Sequence, residues 1–149
     1  MNPALRELYQ TMIVDHGKQP RNFHTLTDAT HQKEGVNPIC GDQLTLYLKI
    51  KGDIIETVSF TGSGCAISMA SASLLTEQLK GKTIKEAQAL FHHFHDMMTN
   101  DCEVSEQHLD KLTVLAGVKA FPTRIKCATL SWHTLKACLD GKTDTTQTE

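Results

Sequence analysis

The chain has 149 residues, 40% of them apolar and 21% charged, with a net charge of −2. That length suits one ordinary domain with a core of its own, and the composition is that of a soluble globular protein. The near-balanced charge argues against a nucleic-acid or anionic-membrane binder, no apolar run approaches a membrane span, and Met1-Asn2-Pro3-Ala4-Leu5-Arg6 lacks the basic-then-apolar order of a signal peptide.

Residues 2–16 read as a helix, with Asn2 as N-cap, Pro3 in the first turn and Gly17 as C-cap. Leu5, Leu8, Met12 and Val14 mark its apolar side. A polar loop with Pro20 follows. In the next segment Leu44, Leu46, Leu48 and Ile50 alternate with Thr45, Tyr47, Lys49 and Lys51, the period of a half-buried strand. Gly52-Asp53 is a turn, and Ile54, Val58 and Phe60 share a face of the returning strand. Residues 29–36 add a short third strand.

Gly62-Ser63-Gly64 marks the change to a helix over 65–80, rich in Ala and Ser. Thr83–Thr99 is a second helix in this half. Thr83 and Glu86 form its capping box, and Ile84, Ala87, Leu90, Phe91, Phe94 and Met98 form its buried stripe. A helix over 105–120 is stopped by Pro122. A last one runs over 126–140, with Ala128, Trp132, Leu135 and Leu139 inward and Gly141 behind it. The order predicts a single α+β domain over residues 1–141, with helices on one side of an antiparallel sheet, and a disordered Thr-rich tail over 142–149.

Five cysteines, an odd number, argue against a disulfide framework and point to the cytosol, where thiols stay reduced. Three of them sit where loops meet regular elements. Cys40 lies in Asn37-Pro38-Ile39-Cys40-Gly41-Asp42, Cys65 in Gly62-Ser63-Gly64-Cys65-Ala66, and Cys127 in Arg124-Ile125-Lys126-Cys127-Ala128. Cys65 falls at a predicted helix start, and Arg124 and Lys126 supply positive charge near Cys127. Three thiolates with the Asp42 carboxylate suit a tetrahedral Zn²⁺ site, and the same thiolates could hold an iron–sulfur cluster or act as nucleophiles. Spacing alone leaves a second reading open, in which Cys65 and Cys127 are small apolar residues under the helices.

The three local motifs, in this order, resemble the IscU/NifU-like iron–sulfur cluster assembly family, and the SufU branch in particular. The likeness runs from Asp15-His16 and Pro20-Arg21-Asn22 to about Gly141. It implies a compact α+β domain with a short three-stranded antiparallel sheet and the three cysteines clustered at one end. It implies zinc on Cys40, Asp42, Cys65 and Cys127, with a transient [2Fe–2S] cluster on the same ligands as the alternative. It further implies a SufS-type cysteine desulfurase as partner, Cys40 as the acceptor of its persulfide sulfur, Arg124 as a basic residue beside the metal, and downstream iron–sulfur assembly proteins as recipients. The chain departs from the scaffold branch in two places. Phe121-Pro122-Thr123-Arg124 stands where scaffolds carry a chaperone-read Leu-Pro-Pro-Val-Lys. Lys126 stands where they carry a ligand His, and an ammonium has no lone pair to offer a metal. A non-catalytic zinc-stabilised interaction domain and a Cys/His hydrolase are the competing readings from other classes.

Cys102 and Cys138 read as incidental and as packing. His92, His93 and His95 with Asp96 read as a solvated helix face rather than a metal cluster.

Overall fold

The computed structural model describes residues 3–99, 110–141 and 146–147. Helix α1 (Pro3–Lys18) leads into three antiparallel strands, β1 (His31–Asn37), β2 (Asp42–Lys51) and β3 (Ile54–Ser63). Helices α2 (Ala66–Leu79) and α3 (Ile84–Thr99) follow. A 3₁₀ helix (Asp110–Ala120) and α4 (Pro122–Leu139) complete the helical half. A two-residue strand, β4 (Thr146–Gln147), pairs in parallel with β1 and gives the sheet order β3-β2-β1-β4. The rest of the expected tail lies outside the described residues, as do Asn2 and Cys102.

The β2 alternation holds for Leu44, Leu46 and Leu48, which are buried in the core, while Ile50 is half-buried and Tyr47 is buried as well. The returning strand needs a correction. Ile54 is exposed and Ile55 is buried, because the register shifts between Lys49↔Thr57 and Ile50↔Ile55. Glu56 is the extra residue of a bulge, which lets Ile55, Val58 and Phe60 all reach the core.

Helix α2 lies at the centre, packed on α1, α4 and β3. Almost every side chain from Ser68 to Thr76 is buried, and the small Ala and Ser residues let its neighbours approach closely. Ser71, Ser73 and Thr76 are satisfied from outside the helix, whereas the Ser68 hydroxyl is buried without a protein partner. Ser71 Oγ donates to the Ala128 carbonyl and accepts from Trp132 Nε1 at 3.2 Å. Ser73 Oγ accepts from the Arg21 N–H at 2.8 Å and meets His16 Nδ1 at 2.8 Å. Asn22 Nδ2 donates to Thr76 Oγ1 at 3.0 Å. Much of the sequence likeness ahead of the strands, His16, Arg21 and Asn22, therefore fastens the first helix and its loop to α2. Trp132 stacks on Phe94 with centroids 4.5 Å apart, which closes α4 on α3.

Other expectations change. On α1, Leu8 and Val14 are exposed, and it is Tyr9, Met12 and Ile13 that pack on the core. Gly17 stays helical instead of capping, and lies against Ala66. The capping box of α3 forms in both directions, Glu86 N–H to Thr83 Oγ1 at 3.1 Å and Thr83 N–H to Glu86 Oε1 at 3.0 Å. The segment before Pro122 is 3₁₀ rather than α over its described part; Thr113, Val114, Gly117 and Val118 are weak α-formers. Pro122 begins α4 rather than merely ending what precedes it, since its fixed φ and missing N–H suit a first helical position. The helix thus starts four residues before Lys126. His92 and Asp96 face outward as expected, but His95 stacks on Phe91, 5.7 Å between centroids, and sits edge-on to His133.

Gly35 lets β1 pass directly beneath α4. An added Cβ would run into Thr134 Oγ1, with Leu130 Cδ1 close behind. Gly35→Ala should cost roughly 1–3 kcal/mol in urea denaturation. Gly117→Ala, whose methyl meets open space, should stay within about 0.5 kcal/mol of the parent.

Burial, reinforced by Arg21 and opposed by Glu77, holds the His16 pKa below its ordinary value; burial, His95 and Lys136 do the same to His133. Both are folded as neutral rings, so their contribution is complete above the unfolded pKa of about 6.5 and is lost as pH falls through the lowered folded values. Stability should drop on acidification below that point, and His16→Gln should flatten the drop. An unchanged slope in that variant would remove His16 from the effect.

Candidate metal centre

Cys40 sits in the four-residue connection between β1 and β2. Asn37↔Asp42 is the closing pair of that hairpin, and Gly41 takes a left-handed φ of 73° to make the return. Antiparallel pairing sets the start of β2 beside the end of β3, through Gln43↔Ser63, so Asp42 reaches the β3–α2 junction. There Cys65 is the N-cap of α2, its Sγ accepting the Ser68 N–H at 3.4 Å. Cys127 lies in the second turn of α4. The bond from Ser71 to the adjacent Ala128 carbonyl holds that turn against α2.

These constraints bring Cys40 Sγ, Cys127 Sγ and an Asp42 oxygen within 4.8 Å of one another. Among the described residues this is the one group of three such donors found. The two sulfurs are 3.3 Å apart, with the Cys127 thiol donating to Cys40. Asp42 is 1% exposed, yet it is an acidic side chain, so both oxygens need partners. Oδ1 accepts the Cys65 N–H at 2.9 Å, and Oδ2 accepts from Asn37 Nδ2 at 3.3 Å. The same Asn37 nitrogen donates to Cys127 Sγ at 3.6 Å.

Cys40 is half-exposed and Cys127 fully buried, so one thiol can be reached from outside and the other cannot. Burial is the main cause that pushes the Cys127 pKa up, followed by hydrogen bonds with Cys40 and Asp42. Arg124 is exposed on the first turn of α4 and brings Nη1 to 4.0 Å from Cys40 Sγ. Its pKa is raised by a hydrogen bond to Cys127 and by the charges of Cys65, Cys127 and Cys40, so the guanidinium stays firmly charged beside the thiols.

The family described as "NifU-like N terminal domain" matches residues 8–128. This chain belongs to that family. As a NifU-like domain it is 45% identical over 135 residues to the "Zinc-dependent sulfurtransferase SufU" of Bacillus subtilis, covering 91% of each chain. It is 39% identical over 135 residues to the "Iron-sulfur cluster assembly scaffold protein IscU" of Streptococcus pyogenes, covering 91% of this chain and 84% of that one. A crystal structure described as a putative iron–sulfur cluster assembly scaffold protein for the SUF system, from Fervidobacterium islandicum, superposes with a TM-score of 0.84 at 37% identity, covering 90% of this chain and 98% of the other. The NifU-like domain is thus an iron–sulfur cluster assembly protein of the IscU and SufU kind.

Of the residues expected at the site, Cys40, Asp42 and Cys127 are brought together as a donor group, and Arg124 lies over them. Cys65 stands at the edge of the group. It is joined to the group by its backbone N–H, while its sulfur caps α2. Cys138 is buried packing, with burial raising its pKa to about 11. Two residues of the site carry no motif signal of their own. Asn37 meets Asp42 and Cys127 only in the fold. Gly64 does more than mark the strand-to-helix change, because an added Cβ there would lie 2.6 Å from Asp42 Oδ1.

The donors fit a metal ion. Two thiols and a carboxylate with a third thiol adjoining form an S/O set suited to Zn²⁺, and the buried carboxylate is held with a lone pair to spare on each oxygen. Gly64→Ala should push the Asp42 carboxylate off the Cys65 N–H and weaken zinc binding by about 10–100-fold in a chelator competition. Unchanged affinity would mean that the position of Asp42 does not matter to the centre.

Proposed function

We propose that this protein is a zinc-holding sulfur acceptor, a sulfurtransferase that takes persulfide sulfur from a SufS-type cysteine desulfurase for iron–sulfur cluster assembly. The observation that carries the reading is the asymmetry of the thiol pair. Cys40 is reachable at a hairpin tip, with a guanidinium 4.0 Å from its sulfur, while Cys127 lies 3.3 Å away in the interior. The 45% identity to a protein named as a zinc-dependent sulfurtransferase supports it.

Cys40, Asp42, Cys65 and Cys127 would hold the metal. Zinc, when bound there, would keep coordinated thiols deprotonated at neutral pH. The transfer itself belongs to Cys40. Its thiolate attacks the terminal sulfur of the donor's Cys–S–SH; a new Cys40 Sγ–S bond forms, the donor's S–S bond breaks, and the donor cysteine leaves as a thiolate. The proton of the donor persulfide stays with the sulfur that moves or goes to solvent, and no external oxidant or reductant is required. Arg124 faces the anionic sulfur at the start and the persulfide anion at the end. Its charge is therefore useful on both sides of the step. Ile39 and Phe121, both large and exposed, flank Cys40 and Arg124 in sequence.

A second reading is favoured by the relatives named as scaffolds. In it the same ligands build a [2Fe–2S] cluster as cargo, and Asp42 gives the lability that release requires.

Incubation with a cysteine desulfurase and free cysteine should add one sulfur to Cys40, read by intact mass and peptide mapping. Cys40→Ala should abolish the addition while keeping the fold. Arg124→Ala should slow it several-fold with zinc retained. Normal sulfur acceptance by Cys40→Ala would overturn the proposal.

A further inference from the structure

Asn37 is 0% exposed and ends β1 in register with Asp42. Its side chain does something unusual for a buried amide. Both of its recorded bonds leave from Nδ2, to Asp42 Oδ2 at 3.3 Å and to Cys127 Sγ at 3.6 Å. Its Oδ1 is buried with no protein partner. Turning the amide over would aim that oxygen at a carboxylate and a sulfur, so the observed orientation is the one the chemistry allows.

Asn37 keeps a buried acceptor unpaired while its two N–H groups serve the buried Asp42 carboxylate and the Cys127 sulfur. Ser59, Ser68 and Ser131 also bury an unpaired hydroxyl oxygen, so what singles out Asn37 is the pair of donor-group atoms that its amide nitrogen meets. The two N–H groups go to two atoms of the donor group, one on β2 and one on α4, elements that are 85 positions apart in the chain (42 to 127). A neutral donor can approach an anionic ligand set without adding charge to it. It fixes the carboxylate, leaving its other lone pairs free, and it draws electron density from the sulfur.

We propose that Asn37 is a positioning residue of the metal centre. It presets the separation of Asp42 and Cys127 and polarises the Cys127 sulfur, at the expense of its own unpaired carbonyl. This rests on the zinc reading given above. It goes beyond that reading by assigning a role to a residue that is not itself a ligand.

The test compares the full-length protein with Asn37→Leu, which keeps the bulk and removes both donors, and uses three readouts. Zinc affinity by chelator competition should fall by about 10–100-fold. In the Co²⁺-substituted protein the thiolate-to-cobalt charge-transfer band should move to lower energy, because losing an N–H···S bond raises the sulfur lone pair. The metal-free protein should melt somewhat lower than the parent, because Asp42 Oδ2 loses its partner, so the affinity and the band carry the test. If Asn37→Leu does not fold, Asn37→Ala gives the same band shift. Parent-like affinity and an unmoved band would overturn the proposal. A lowered metal-free melting point with an unmoved band would make Asn37 a structural filler and overturn it too. If the parent itself fails to bind zinc, the centre reading falls first and this inference falls with it; the two failures are told apart by that parent measurement.

Discussion

A buried carboxylate organises this end of the molecule. Asp42 is removed from water at the first residue of β2, and its two oxygens are satisfied by the β3–α2 junction and by the last residue of β1. Neither partner is close in sequence to the other, so the requirement can be met only when the sheet is in register and α2 begins at Ala66. Once it is met, Cys65 N–H, Asn37 and Asp42 form a rigid floor, and Cys40 has nowhere to go but the hairpin tip above it. The missing Cβ at Gly64 is the steric condition for that floor.

The remaining thiol comes from the helical half. The α4 helix is fixed on α2 by Ser71, which serves the Ala128 carbonyl and the Trp132 indole together, and on α3 by the Phe94–Trp132 stack. Cys127 is the neighbour of Ala128, so the depth of the buried sulfur is set by a bond one residue away. The first helix and its loop brace α2 from the other side through His16, Arg21 and Asn22. The centre is thus a meeting of sheet and helix pair, with Cys40 on the exposed loop of the first and Cys127 buried in the second. On the proposed reading, that difference in burial would leave Cys40 to meet a partner and Cys127 to help retain a metal.

Much of this was legible in the chain. The capping box of α3 is a local signal and held; the alternation over 44–50 and the α3 stripe held in the main, though Ile50 and Ile84 are only half-buried and Tyr47 and Met97 are buried as well. The donor residues were legible because their motifs are local too: Asn-Pro-Ile-Cys-Gly-Asp turns a hairpin, and Gly-Ser-Gly-Cys starts a helix. What failed was long-range. The bulge at Glu56 moved the buried position from Ile54 to Ile55, which no period-2 count can foresee. Leu8 and Val14 are apolar but lie off the face that α2 covers. Gly17 stays in the helix and lies against Ala66, and Pro122 opens α4 because its fixed φ and missing N–H suit a first helical position. Nothing local marks Asn37 as part of the centre, since its contact to Cys127 spans 90 positions.

The most direct test of the account is the content of the centre. Purification without oxygen, followed by zinc, iron and labile sulfide analysis per chain and a visible spectrum, reads it in one preparation. The account predicts one zinc, no stoichiometric iron or sulfide and no chromophore. Iron and sulfide in stoichiometric amounts with a coloured spectrum would contradict it, and would make the four-residue centre a place where clusters are built rather than one where sulfur is received.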